Sequence, residues 1–136
     1  MSFLLDTCVV SEAVKGQRDL GVQTWLERVA PEKQFFSSLT FGEVKFGIER
    51  LAKGSKRDRL EKWFAEYVSE TPETRVLPVD REVALRWAEL RIHDPNCKLV
   101  DVQIAATALV HGLTLVTRNV RDFPFPGLAV FNPWSK

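Results

Sequence analysis

The chain has 136 residues, 45% of them hydrophobic, which is enough apolar material for the core of one domain, and we treat 1–136 as a single domain. Its 19 Lys plus Arg against 18 Asp plus Glu leave a formal net charge of +1. This balance excludes a globally basic nucleic-acid-binding surface, so any contact with RNA must use basic side chains concentrated on one face.

Strands and helices alternate in the first half of the chain. In order, the pattern predicts a strand at 3–5, a helix that stops at Gly16, a helix from Asp19 to Pro31, a strand at 35–38 and helices at 40–51 and 56–69. The last two helices are joined by a polar turn and form a hairpin. Because the hairpin carries Phe46, Trp63, Phe64 and Tyr67, we expect part of it to form a homodimer interface.

The second half continues the alternation. It predicts a strand at 75–79, a helix capped by Asp80, a loop at 93–98, an apolar helix from Leu99 to His111, and strands at 113–116 and 128–131. Helices that alternate with short apolar strands indicate an α/β protein whose parallel sheet carries helices on both faces. We expect a cytoplasmic protein with no membrane contact, since no segment has the length and apolarity of a membrane span and no leader precedes Phe3.

Two acidic residues follow the first two predicted strands. Asp6 comes directly after the first strand, at the edge where open α/β sheets bind ligands, but it could equally serve only as a helix cap. Glu43 lies three residues after Thr40, so the two could form a capping box, which is the structural alternative to a functional role.

Asp101 lies on the helix that is otherwise apolar nearly all round. A buried carboxylate is costly unless it has a cation or hydrogen-bond donors. Lys98, three residues earlier, could pair with it, or a divalent metal ion could.

Asp122 is the fourth acidic candidate, in the loop after the strand at 113–116. Asn119 lies in the same loop, where Asn and Asp are also ordinary turn residues. Arg118 and Arg121 flank Asn119 and could hold phosphates or simply be surface arginines.

Together, these residues bring oxygen ligands from several elements to one edge of the sheet. With no Cys or His in the set, they favour a hard ion such as Mg²⁺ or Mn²⁺. Such ions can activate water and stabilise the leaving oxygen in phosphodiester hydrolysis. A phosphatase of the haloacid dehalogenase type would need a second Asp where Cys8 stands, so we reject it. Cys8 could be a reactive thiol or a small core residue.

Four segments in their order along the chain resemble PIN-domain toxins of the VapC/FitB type. They are Leu4-Leu5-Asp6-Thr7 with Ser11-Glu12, Gly42-Glu43 with Gly47-Ile48-Glu49-Arg50, Asp101 with 104–108, and 112–119 with Asp122-Phe123. The closing Asn132-Pro133-Trp134 extends the resemblance over essentially the whole chain.

The resemblance implies a PIN-like three-layer α/β/α sandwich that cleaves RNA with Mg²⁺ or Mn²⁺. It implies that Asp6, Glu43 and Asp101 are the catalytic and metal-binding acids, with Asp122 as a more variable fourth. It further implies a homodimer and a VapB/FitA-like antitoxin whose tail enters the active-site groove and which carries the pair to promoter DNA.

One departure from the family pattern lies at Cys8, where the family usually has an Asn that helps to order the site. Since a thiol is a weaker hydrogen-bond partner, either activity is lower or another side chain takes this role. A second functional hypothesis is a non-catalytic subunit that acts only within a DNA-binding complex with its antitoxin.

Overall fold

The computed structural model describes residues 1–135 as a five-stranded sheet with six α-helices, which confirms the predicted α/β class. The strands are β1 (Phe3–Leu5), β2 (Gln34–Ser37), β3 (Val76–Leu77), β4 (Thr114–Val116) and β5 (Val130–Phe131). The helices are α1 (Thr7–Ala13), α2 (Leu20–Arg28), α3 (Ser38–Glu49), α4 (Ser55–Glu70), α5 (Arg81–His93) and α6 (Leu99–His111). None of these helices is long and apolar enough to cross a membrane.

All neighbouring strands pair in parallel, in the order β3-β2-β1-β4-β5. Successive strand residues point to opposite faces, so each strand contributes to both layers of the core. Leu4 packs with Val102 of α6 and Val83 of α5 on one face of the sheet. Leu5 packs with the residues of α1 to α4 on the other face. The short strands are therefore buried on both sides, as their apolar sequence predicted.

Local capping signals place several helix ends where the sequence predicts them. Asp6, Asp19 and Asp80 are the N-caps of α1, α2 and α5, and each accepts a hydrogen bond from a backbone N–H of its helix. Gly112 ends α6 with φ at 65°, a left-handed conformation that glycine adopts without a steric penalty.

The predicted capping box at Thr40 and Glu43 is wrong. Helix α3 begins two residues earlier, with Ser37 as its N-cap, and the Ser37 hydroxyl accepts a hydrogen bond from the Leu39 N–H. Thr40 is fully buried inside the first turn, which places Glu43 in the second turn. Glu43 therefore has no capping role, and its side chain is available for other contacts.

Most aromatic side chains of the α3–α4 hairpin pack within the chain. Phe41, Phe64 and Tyr67 form edge-on contacts with one another and with Phe36 of β2. Burial raises the pKa of Tyr67 to about 12. Phe46 is different, since 63% of its surface is exposed. The aromatic content of the hairpin is therefore used mainly to join it to the sheet.

Candidate active site

The carboxyl ends of β1 and β4 bring Asp6 and Thr117 together. These central strands pair with Leu5 opposite Val116, so the residues that follow them are neighbours although they lie 111 positions apart. The Asp6 N–H donates to the Val116 carbonyl oxygen at 3.0 Å. The register of two parallel strands therefore places an acid and a hydroxyl side by side.

Three donors hold the carboxylate of Asp6, which is only 8% exposed, and one of them is the Cys8 thiol, whose Sγ lies 3.8 Å from Oδ2. The Thr7 N–H donates to Oδ1 and the Thr117 hydroxyl to Oδ2, each at 2.8 Å. Burial raises the pKa of Asp6, the three hydrogen bonds oppose this rise, and the charge of Glu43 adds to it. Oδ1 accepts only one hydrogen bond and keeps a further lone pair, so Asp6 can still bind a cation.

Thr7 connects the first acid to the second. The Thr7 hydroxyl donates to Oε1 of Glu43 at 2.6 Å. The hydroxyl oxygens of Thr7 and Thr40 lie 3.4 Å apart. The contact joins the start of α1 to the second turn of α3. Glu43 is exposed, so it remains accessible from solvent while this bond fixes its direction.

Asp101 lies in the first turn of α6, the helix that leads into β4. Its pKa is raised to about 6, chiefly by burial and then by the neighbouring charges of Asp122 and Asp6. Lys98 lowers the pKa of Asp101 by a smaller amount, and within residues 1–135 the two side chains form no ion pair. The acids thus affect one another electrostatically, and the nearby lysine does not compensate for them.

The remaining predicted residues lie on the loop after β4, where Val120–Asp122 forms a short 3-10 helix. Arg118, Asn119, Arg121 and Asp122 all expose their side chains there. The Asn119 N–H donates to the Thr117 hydroxyl oxygen at 3.0 Å, which ties this loop to the residue that holds Asp6.

Cys8 lies against the same group of residues. Its Sγ accepts a hydrogen bond from the Arg118 N–H at 3.5 Å and lies 3.5 Å from the Thr117 hydroxyl. Burial raises the pKa of Cys8, so the thiol is neutral and does not have the lowered pKa of a reactive cysteine. Both Thr117 and Cys8 donate to Oδ2 of Asp6, and the hydroxyl of Thr117 is the stronger donor of the two.

Sequence reasoning missed the roles of Thr7 and Thr117. A signal for Thr117 exists, because it follows β4 as Asp6 follows β1, and aligning the ends of two predicted parallel strands would have paired them. No comparable signal exists for Thr7, since its contact with Glu43 depends on how α1 packs against α3.

The four candidate acids offer the type of ligand that a hard divalent cation prefers, because all of them carry carboxylate oxygens. In the described part of the chain, however, no group of three or more His, Cys, Asp or Glu side chains has a geometry that could hold a metal ion. Mg²⁺ commonly binds through one or two carboxylates and keeps several waters. The residues therefore fit an ion held by few protein ligands, rather than a closed protein cage.

Comparison with known proteins shows which family the chain belongs to. The PIN domain family matches residues 3–125. Toxin FitB of Neisseria gonorrhoeae is 35% identical over 135 residues, covering 96% of this chain and 97% of that protein. VapC ribonuclease Y4jK of Sinorhizobium fredii is 32% identical over 136 residues, covering 97% of each. A solved structure of FitAB bound to a DNA fragment superposes with a TM-score of 0.89 at 33% identity, covering 98% of this chain and 96% of the other.

Proposed function

Since the chain belongs to the PIN domain family, we propose that it is the toxin of a type II toxin–antitoxin system and that it hydrolyses RNA phosphodiester bonds with Mg²⁺ or Mn²⁺. A relative that is 32% identical over 97% of its length is named a ribonuclease, which supports the nuclease assignment. Another, 35% identical, is named a toxin.

The observation that carries the proposal is the mutual influence of the four acids. Burial is the largest cause of the raised pKa of Asp101, and the charges of Asp122, Asp6 and Glu43 raise it further, although these residues come from separate elements of the chain. Carboxylates gathered in this way repel one another and favour a bound cation.

In this proposal Asp6 and Asp101 are the principal metal ligands, and Glu43 and Asp122 complete the acidic set directly or through water. An ion held by these residues would supply Lewis-acid stabilisation of the leaving oxygen and would activate a water molecule. The Thr117 hydroxyl and the Thr7 N–H orient the carboxylate of Asp6, and the Thr7 hydroxyl orients that of Glu43.

The proposal includes an antitoxin partner. A groove of roughly 200 Å³ opens at Thr7 and Glu43 and runs between α1, α3 and the start of α4. Its walls are mostly apolar, with Val14, Leu60 and Trp63 among them. A short apolar antitoxin segment fits this shape and would bring a polar end to the acids. Through such an antitoxin, a homodimer of this chain would bind promoter DNA, in keeping with the solved structure of FitAB on DNA.

A cleavage assay on single-stranded RNA tests the activity. We expect the purified protein to cleave with Mn²⁺ or Mg²⁺ and not with EDTA, and we expect Asp101→Asn to be inactive with either ion. Lys98→Gln is the matched control, since it changes a charge in the same helical turn without removing an acid. Equal cleavage by wild type and Asp101→Asn would contradict the proposal.

The second candidate is a non-catalytic subunit of a DNA-binding complex with its antitoxin. It is favoured by the lack, within residues 1–135, of a ready-made group of three metal ligands. It predicts no RNA cleavage with either ion, while the complex with the antitoxin still binds promoter DNA. The cleavage assay and a gel-shift assay on the complex therefore separate the two candidates.

A further inference from the structure

The loop after β4 and the C-terminal segment enclose a polar pocket beside the acidic cluster. Its volume is roughly 380 Å³, within the range of pockets that bind small ligands. The pocket is lined by Arg118, Asn119, Val120, Arg121, Asp122 and Asn132. The two carboxamides offer donors and acceptors of the kind that read base edges. Asp122 makes the pocket continuous with the acids.

Both arginines of the pocket are exposed and, in the described residues, neither forms an ion pair. A guanidinium group without a carboxylate partner is well suited to bind a phosphate through two parallel hydrogen bonds. Arg118 also has a defined direction, since its Cζ lies 5.7 Å from the centre of the Trp134 ring. Contact with an indole face stabilises a cation in this position.

Trp134 is itself held by contacts that have no part in the acidic cluster. Its N–H donates to Oδ1 of Asn132 at 2.9 Å. The next residue, Ser135, donates its N–H to Oδ2 of Asp19 at 3.0 Å and its hydroxyl to Oδ1. These bonds lower the pKa of Asp19, so the contact is retained at neutral pH.

Close backbone packing completes the attachment of the C-terminal segment. A Cβ atom added to Gly21 would lie 2.4 Å from the Pro133 carbonyl oxygen, so only glycine admits the segment this closely. The segment is therefore fixed on the start of α2, and it presents the indole of Trp134 to Arg118.

We propose that this pocket binds one nucleotide of single-stranded RNA next to the cleaved bond, with Arg118 on its phosphate and Trp134 as the residue that positions Arg118. The inference rests on the proposed ribonuclease function and extends it by naming a substrate subsite. Its physical basis is a nucleotide-sized pocket, two unpaired arginines and an aromatic side chain anchored independently of the acids.

Two measurements on the full-length protein test this subsite. The first is binding of a fluorescein-labelled single-stranded RNA in EDTA, followed by anisotropy. The second is the kinetics of RNA cleavage with Mn²⁺. We expect Arg118→Ala and Trp134→Leu each to weaken binding about tenfold, the loss of one charge-assisted contact, and to raise KM with little change in kcat. Trp134→Phe keeps an aromatic ring and should bind nearly as well as wild type.

A matched control is available at the C-terminal end of α3, where Arg50 lies 5.2 Å from the centre of the Phe46 ring. Arg50→Ala removes the same charge from a similar arginine–aromatic pair outside the pocket, and it should bind RNA as wild type does. The variant with both Arg118→Ala and Trp134→Leu should bind no more weakly than Arg118→Ala alone, because the two residues act as one unit.

The subsite is refuted if Arg118→Ala or Trp134→Leu binds RNA as wild type does, or if Arg50→Ala weakens binding as much as they do. Arg118 is exposed, so its variant keeps the test valid even if Trp134→Leu fails to fold. Loss of affinity in a protein that cleaves no RNA would support the subsite and overturn the proposed hydrolysis. Cleavage with an unchanged KM in Arg118→Ala would overturn the subsite and leave the proposed hydrolysis standing.

Discussion

Replacing Asp101 by Asn should stabilise the metal-free protein at neutral pH, although it removes a central acid of the proposed site. The pKa of Asp101 is raised from 3.8 to about 6, so folding makes its charged form less favourable. The full shift corresponds to about 3 kcal/mol. Because the side chain is only half-buried, solvent screening reduces this to about 1–2 kcal/mol. The melting temperature in EDTA should then rise by roughly 3–8 °C.

The pH dependence of this gain has a defined sign. Between the unfolded pKa of 3.8 and the folded pKa of about 6, the folded wild type binds more protons than the unfolded chain. Its stability therefore falls as pH rises through this window. Asp101→Asn lacks the titrating group, so its advantage should be near zero at about pH 4 and complete at about pH 7.

Adding metal ion should reverse this difference, so that wild type melts at a higher temperature than Asp101→Asn. Mn²⁺ at one hundred times its dissociation constant stabilises a folded protein by about 2.7 kcal/mol, and Asp101→Asn should receive little of this. Lys98→Gln, the control, should melt slightly below wild type in EDTA, because Lys98 lowers the pKa of Asp101. The reasoning is refuted if Asp101→Asn melts below wild type in EDTA at pH 7, since that would show a stabilising partner for the carboxylate.

Five further substitutions, two of which are controls, test the residues around the site. Thr117→Val removes a donor to buried Asp6 and should cost about 1–3 kcal/mol in urea unfolding, together with most RNA cleavage; Thr117→Ser should retain both. Gly21→Ala places a Cβ 2.4 Å from a carbonyl oxygen of the C-terminal segment and should destabilise by about 1–3 kcal/mol. Gly42→Ala, with no atom within 4 Å, should instead stabilise α3 by about 0.5–1 kcal/mol; equal effects of the two would contradict the packing. Cys8→Asn restores the usual family residue and should cleave RNA at least as fast as wild type; slower cleavage would show that the thiol itself is needed.

The sequence determined the features that depend on neighbouring residues. Alternating apolar strands and helices gave the parallel α/β class, because each pattern reports on one short stretch. Asp6, Asp19 and Asp80 were recognisable as caps, since a cap bonds to a backbone N–H only a few residues away. The candidate acids were also found in sequence, from their positions relative to strand ends and on an otherwise apolar helix.

The local sequence did not predict the N-cap of α3 correctly, because two nearby residues both suit that position. Ser37 and Thr40 both carry a hydroxyl suited to cap the start of α3, and the cap predicted at Thr40 is wrong. The structure selects Ser37 because β2 ends there and Thr40 is buried beside Thr7. This choice moved Glu43 out of the first turn and left it to accept a bond from Thr7.

Only the tertiary structure decided what surrounds the acids. Thr117 reaches Asp6 because β1 and β4 are adjacent and in register, and Trp134 reaches Arg118 because the C-terminal segment packs against Gly21. These contacts join residues far apart in the chain, and a shift of one residue in strand pairing would turn the side chains to the other face. Sequence patterns report which side chains a chain carries, whereas strand register and helix packing decide which of them meet.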